Sequence, residues 1–305
     1  MKHDIYDVII VGGGPAGCNA AMVLARSRRT VLIIDEGKHR NQLSQGIHNY
    51  LTRDGVKPGE YLELAYKEMA DYHIPIIRTR AIKARQLEQK GFEITDNTGT
   101  IYLCRRLLLA TGVTDKIPDI PGIQELWGCC VHHCPFCDGW ECRDKVIALY
   151  SRNVNGYGMA MALQHLSKEV ILFTDGRSYL KTKQRSHLQA LNIRVISRRV
   201  KELLYDNKQL HHIALQNGEQ VPCDVLFVNH GHHVNSELLE QLDCRRTKLG
   251  AAITNKQQQT SIPGVYVAGD ASFDMHFVVV AAAEGAKAAV AIHSDLLNTD
   301  NLKYQ

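Results

Sequence analysis

The sequence predicts an α/β protein made of two nested, doubly wound, three-layer domains. Three observations predict it. A glycine-rich turn, Gly12-Gly13-Gly14-Pro15-Ala16-Gly17, follows a short apolar run near the start. A second strand–helix–strand pattern opens well downstream, at 145. A strand and turn of the first kind then return at 265–270, so the second unit interrupts the first.

Taken in order, residues 5–11 are an apolar run with turn residues behind it, the pattern of a buried parallel strand. Residues 16–26 have helical spacing and small side chains. Residues 30–34 form a second apolar run that ends in Asp35-Glu36. This strand–glycine turn–helix–strand–acid unit is Rossmann-like, the pattern of a dinucleotide-binding domain. Residues 107–110, followed by Thr111-Gly112, read as a later strand of the same sheet. The second unit has a strand at 145–150, a helix near 158–166 and a strand at 169–173, with further strand signals at 193–196 and 225–229. Residues 265–268 with Gly269-Asp270 return to the first unit, and an alanine-rich helix over 278–297 closes it. The expected domains are 1–114 with 248–305, and an inserted 115–247. The junctions at 112–118 and 247–250 carry Gly and Pro, as hinges do. No other repeat and no low-complexity linker is evident.

Composition narrows the function. A chain of 305 residues with 45% hydrophobic and 22% charged residues suits a soluble two-domain protein. A net charge of +4 is too small to argue for nucleic acid. Basic runs at 78–85 and 194–201 read as solvated faces, with docking of an acidic partner as the alternative. The first apolar run follows charged residues and ends in glycines, so it reads as a strand and not a signal peptide. No stretch approaches the roughly 18 apolar residues of a membrane span. With these features, nine Cys argue for redox or metal chemistry in a cytoplasmic protein rather than a disulfide scaffold.

The glycine turn has a chemical reading. Gly12 permits the tight turn, Gly14 lets backbone N–H groups approach a pyrophosphate, and Gly17 lets helix and strand pack closely. Pro15 and Ala16 open the helix whose N-terminus favours the phosphates. Asp35 or Glu36 is placed to hydrogen-bond an adenosine ribose.

Mid-chain, Cys134-Pro135-Phe136-Cys137-Asp138-Gly139 brings two thiols to i and i+3 with an acid beside them. Such a pair forms a small-loop disulfide, and a helix start stabilises one thiolate. Asp138 is placed to move the proton during thiol exchange. Zinc is the rival, since Cys129, Cys130, His132, His133, Cys134, Cys137 and Cys142 are all candidate ligands. Zinc sites draw on two separated ligand pairs, and no second CxxC or HxxxH is present, so no metal is expected. Cys129, Cys130 and Cys142 read as buried or resolving thiols.

The segment 134–141, with 259–264 and Val265-Tyr266-Val267-Ala268-Gly269-Asp270, resembles the low-molecular-weight thioredoxin reductases. The resemblance covers essentially the whole chain. It implies FAD, with Asp270 on the ribityl chain and Asn49, Thr111 and Gly112 also near the cofactor. It implies that Cys137 faces the flavin while Cys134 exchanges with substrate, and it implies a homodimer and rotation of the inserted domain.

Three places depart from that family. Its second glycine-rich loop, for NADPH, is replaced by Tyr150-Ser151-Arg152-Asn153-Val154-Asn155-Gly156, where glycines come too late. Its basic cluster for the 2′-phosphate is replaced by Thr174-Asp175-Gly176, with Arg152 and Arg177 the nearby cations. Near the flavin, Met275-His276-Phe277 stands where the family has Arg-Gln. His276 reads as a cation for reduced flavin or as a packed histidine, and Phe277 as a shield for the ring. These departures, with 48–55 and 172–176, resemble the subgroup outside the NADPH branch. That subgroup holds gliotoxin- and holomycin-type dithiol oxidases and pyridine-nucleotide-independent thioredoxin reductases. The expected function is FAD-dependent dithiol/disulfide exchange with a thioredoxin-like protein or a small-molecule dithiol or disulfide, fed by ferredoxin or another reduced flavin. The alternatives are an oxygen-dependent dithiol oxidase, an ordinary NADPH-dependent reductase, and a flavin-binding redox sensor without turnover.

Overall fold

The computed structural model describes residues 5–88, 91–176, 178–272 and 275–301. Arg177, a candidate phosphate-binding cation from the sequence, lies outside the described residues.

The chain begins β1 (Ile5–Val11), α1 (Pro15–Arg26), β2 (Val31–Ile34), α2 (Pro58–Ala70), β3 (Ile76–Ile77), β4 (Ala81–Leu87), β5 (Gly91–Asp96), β6 (Ile101–Leu109) and β7 (Val113–Asp115). It continues with α3 (Ile123–Leu126), β8 (Val131–His132), α4 (Pro135–Asp138), β9 (Ile147–Ser151), α5 (Gly156–Gln164), β10 (Val170–Phe173), α6 (Thr182–Ala190) and β11 (Arg194–Ile196). After the meander β12 (Val200–Asp206), β13 (Gln209–Leu215) and β14 (Gln220–Pro222) come β15 (Val225–Asn229), β16 (His232–Val234), α7 (Glu237–Gln241), β17 (Val265–Val267) and α8 (Val278–Asn301).

Two compact units result. The first holds Met1–Gln42, Pro58–Thr114 and His233–Gln305. Its sheet runs β3-β2-β1-β6-β5-β4. β1, β2, β3, β6 and β17 are parallel, and β4–β5 add an antiparallel extension. β6 is long enough to pair β5 through Ile101–Cys104 and β17 through Leu107–Leu109. Both faces of the sheet are covered, which is why residues 8–11 of β1 and all of β2 read as unbroken apolar runs. Val8, Ile10 and Ile33 pack with α1, α2 and α8, while Ile9, Val11, Leu32 and Ile34 pack towards Phe92, Ile94 and Leu238. Residues 233–247 belong here, not to the inserted unit as the sequence suggested. Gln241 of α7 accepts from the Ala84 N–H at 2.8 Å and donates to the Ile82 carbonyl at 3.0 Å.

The second unit holds Leu43–Lys57 and Asp115–His232. Its parallel sheet runs β11-β10-β9-β15-β8, beside the three-stranded antiparallel meander. Ile147, Leu149, Val170 and Leu172 pack on the α5–α6 side, and Ala148, Tyr150, Ile171 and Phe173 pack towards the meander. The 78–85 basic run is engaged at home: Arg78 with Asp35, Arg80 with Glu237 and Arg85 with Glu93. Among the described residues, no helix is long and apolar enough to cross a membrane.

Candidate active site

The glycines of the first unit divide by what they do. Gly12 has φ +109°, and a Cβ there would sit 2.2 Å from the Ala110 carbonyl oxygen. A Cβ on Gly17 would lie 1.9 Å from the Gly12 carbonyl oxygen, so α1 packs on the turn only without one. Gly14 is different. Its φ of −76° needs no glycine, and a Cβ would meet nothing closer than His39 Nδ1 at 3.8 Å. Neither backbone conformation nor a neighbouring atom of the fold requires glycine here. Gly14 is also the N-cap of α1, offering no side-chain cap, and Pro15 follows without an N–H. The first-turn N–H groups are thus left for an anion.

Asp35, at the end of β2, is buried beside this turn. Its Oδ1 accepts from the Gly13 N–H at 3.0 Å, and its Oδ2 pairs with Arg78. Glu36 instead pairs with Lys38 at 2.7 Å on the exposed side. The Tyr66 hydroxyl donates to the Gly13 carbonyl at 3.2 Å, and Arg78 lies over the Tyr66 ring at 4.6 Å. Burial pushes the nearby Cys18 thiol up to about 12, with the Asp35 charge adding to it, so Cys18 stays protonated.

The other candidate residues of this unit come from distant segments. The Thr111 hydroxyl donates to the Asn235 carbonyl at 2.8 Å, and the Gly112 carbonyl accepts from the Asn235 N–H at 3.1 Å. At the other turn, Glu284 of α8 is buried and accepts from the Gly269 N–H and the Ser272 hydroxyl, both at 2.8 Å. Asp270 pairs with Arg40 at 2.9 Å. Arg40 also donates to His276 Nδ1 at 2.9 Å. A guanidinium has no acceptor, so this nitrogen is the acceptor and Arg40 is the cation beside Asp270. Phe277 precedes α8, and its carbonyl accepts from the Ala281 N–H. Sequence reasoning missed Arg40 and Glu284, because 230 residues separate Arg40 from Asp270. The glycines, Asp35 and the Asp270 turn fit a flavin dinucleotide: bare backbone for the pyrophosphate and acids for the sugar hydroxyls.

In the second unit, Cys134 and Cys137 are joined as a disulfide with Cα atoms 5.3 Å apart. Cys134 is the N-cap of α4, and its carbonyl accepts from the Cys137 and Asp138 N–H groups, each at 3.2 Å. α4 is one turn, too short for a helix macrodipole to act on these sulfurs. Phe136 and Trp140 flank the pair and are exposed. Asn49 has φ +62° and donates through Nδ2 to the Phe136 carbonyl at 2.7 Å, while its own N–H donates to Asp54 at 3.0 Å. The segment 43–57 thereby braces the dithiol loop.

Asp138 faces inward, 3.4 Å from Nδ1 of His132 on β8. His132 is buried. Burial alone lowers its pKa, but hydrogen bonds to Asp138 and Cys142 and the charge of Asp138 outweigh it and push His132 up to about 9. The sequence offered His132 as a metal ligand; in the fold it holds the acid of the dithiol loop. Among the described residues, no group of three His, Cys, Asp or Glu is arranged for a metal ion.

The turn after β9 is closed by its own side chains. Asn153 Oδ1 accepts from the Asn155 N–H at 2.9 Å, and Asn153 Nδ2 donates to the Asn229 carbonyl at 3.0 Å. The Tyr150 hydroxyl donates to Asp175 Oδ2 at 2.9 Å, and Asp175 Oδ1 accepts from the Val200 N–H at 2.8 Å. Burial and the bonded Asp175 push Tyr150 up to about 12. Gly156 does not come too late for one role. A Cβ there would lie 2.7 Å from Ser151 Oγ, so it provides the close helix–strand contact.

A glycine cradle on one unit and a redox disulfide on the other define an oxidoreductase acting on disulfides. The chain belongs to the pyridine nucleotide-disulphide oxidoreductase family, whose model matches residues 6–285. It is 31% identical to a probable thioredoxin reductase of Arthroderma benhamiae, over 95% of this chain and 80% of the relative. Among solved structures it is similar to HlmI, with a TM-score of 0.95 and 32% identity over 98% of this chain and 95% of that one. It is also similar to the putative thioredoxin reductase TrxB from Bacillus anthracis, with a TM-score of 0.92 and 30% identity over 97% and 99% of the two chains. Within the family it falls in the low-molecular-weight, thioredoxin-reductase-like group; it is an enzyme, and the family implies a flavin.

Proposed function

We propose that this enzyme is a FAD-dependent dithiol/disulfide oxidoreductase that does not take its electrons from NADPH. The observation that carries the donor claim is the closed turn after β9. Asn153 occupies the Asn155 N–H of the turn and the Asn229 carbonyl at the end of β15, and the Asp175 carboxylate stands in the segment where the family carries cations for a 2′-phosphate. A phosphate there would meet negative charge, with Arg152 3.9 Å from Asp175.

FAD supplies a two-electron carrier when bound. Gly14 and the α1 N-terminus would hold its phosphates, and the Asp35 and Asp270 regions its two sugar-like chains. In exchange with a substrate disulfide, the Cys134 thiolate attacks one sulfur and the other leaves as a thiolate. Cys137 then attacks the mixed disulfide, releasing the second substrate thiol and closing Cys134–Cys137. The substrate gains two electrons and two protons, and the cysteine pair loses them. Asp138, held by His132, carries the proton. The substrate is a thioredoxin-like protein or a small-molecule dithiol or disulfide, and the enzyme works as a homodimer in the cytoplasm.

An anaerobic absorbance titration of the holoenzyme tests the donor. NADPH is expected to leave the flavin band intact, while dithionite and a small dithiol bleach it. Rapid stoichiometric bleaching by NADPH would restore the ordinary reductase. If air then restores the dithiol-bleached band at a catalytic rate, electrons flow to oxygen; if it does not, a ferredoxin-like donor is sought.

A further inference from the structure

A second pair of thiols lies outside the CxxC motif. Cys129 and Cys130 are adjacent in sequence and only partly buried, unlike Cys18, Cys104, Cys142, Cys223 and Cys244, which are buried. Their sulfurs are 3.9 Å apart, and neither is in a disulfide. Neighbouring residues rarely turn their side chains to one side, so something must hold them. Here it is one carbonyl. Cys130 Sγ donates to the Lys208 carbonyl oxygen at 2.9 Å, and Cys129 Sγ reaches the same oxygen at 3.6 Å. That oxygen is fixed by the β12–β13 hairpin, whose turn residues Asn207 and Lys208 have φ of +43° and +62°, as a tight hairpin turn requires. From below, Gly128 (φ +77°) approaches the Leu43 carbonyl so closely that a Cβ would lie 2.3 Å from it.

Such a pair is suited to a soft centre that binds two sulfurs at once. Burial, then the neighbouring Cys130, raises the Cys129 pKa, so simple alkylation, which needs thiolate, is slowed. Chelation by a centre that exchanges hydroxide for thiol does not depend on a standing thiolate.

We propose that Cys129 and Cys130 form a second dithiol site, independent of Cys134–Cys137, that chelates a trivalent organoarsenical through both sulfurs. Two S–H bonds and two As–OH bonds break, two As–S bonds form and two waters leave. No electrons are transferred, so no oxidant or reductant is needed.

The test uses the oxidised holoenzyme, in which Cys134–Cys137 is closed and takes no arsenical. Phenylarsine oxide is added and the intact mass is read. One phenylarsenic group per chain is expected, stable to excess monothiol and removed by a small dithiol. Peptide mapping is expected to place it on the segment containing Cys129 and Cys130. The adduct should disappear in Cys129→Ser and in Cys130→Ser and persist in the double variant Cys134→Ser/Cys137→Ser. No adduct on the unaltered enzyme, or an adduct mapped to another peptide, overturns the site even where a variant fails to fold. An adduct lost in the double variant assigns the chelation to the redox pair instead.

Discussion

At the scale of single residues, the proposed proton carrier Asp138 lies 3.4 Å from Nδ1 of His132. A carboxyl that moves a proton typically contributes about 10²–10⁴-fold, so Asp138→Asn is expected to slow dithiol turnover by that factor. The variant should still bind flavin, which its absorbance spectrum would show. His132 makes a separate prediction about stability. Its folded pKa, about 9, lies above its ordinary 6.5, so the cation favours the folded state. That contribution is complete below about pH 6.5 and is lost as pH rises through about 9. Urea unfolding near pH 6 and near pH 10 should differ by up to roughly 3 kcal/mol, and His132→Asn should remove most of the difference. An equal pH difference in the variant would assign it to other groups. The sequence contains both residues but not their meeting. The two are only six residues apart, but the intervening chain passes from β8, which pairs with β15, into α4, and no local pattern reports which way either side chain turns. Nor does the sequence choose between Asp35 and Glu36. β2 is buried on both faces, so no alternation tells which side chain turns inward.

At the scale of elements, the glycine turn separates fold from ligand. Gly17→Ala puts a methyl group against fixed backbone and should cost at least roughly 1–3 kcal/mol, read as a fall in melting temperature. Gly14→Ala should leave the melting temperature of the apoprotein nearly unchanged while weakening FAD retention, measured by flavin content after gel filtration. Equal effects of both would mean Gly14 serves the fold after all. The Glu284 carboxylate gives a third case. Glu284→Ala strips the acceptor from the buried Gly269 N–H and the Ser272 hydroxyl, costing about 1–3 kcal/mol and loosening the turn that carries Asp270. Apolar elements such as β1, β2 and β9 were legible because continuous burial on both faces leaves apolar runs. α2 is less legible, although Pro58 at its first position and Glu60 in its first turn are start signals. The β4–β5 and β12–β14 strands are illegible for another reason. β4 and β12 bury every third residue rather than every second, and their pairings with β5 and β13 carry register shifts, so the alternation that marks a half-buried strand is broken.

At the scale of the whole molecule, two nested dinucleotide domains were legible because each announces itself with a strand–turn–helix start. Their seams were less so. The residues 233–247 carry no motif, and their place is settled by α7 packing on β4. The segment 43–57 is harder still. It lies in sequence between β2 and α2 of the first unit, yet it folds with the second. It brings Asn49 to the Phe136 carbonyl and the Leu43 carbonyl against Gly128.

That excursion bears on modularity. The redox unit is not a cassette. Excising 115–232 for transplantation into another host would carry the CxxC motif away from the fifteen-residue piece that braces it, since that piece is encoded before the insertion begins. Any recombination that exchanges the inserted unit must also exchange 43–57, or accept a dithiol loop whose Phe136 carbonyl has lost its Asn49 donor. Shuffled reductases of this architecture should therefore keep their thiol chemistry only when both stretches come from one parent. Swapping each stretch singly and together, with disulfide turnover as the readout, would show whether this inheritance is joint.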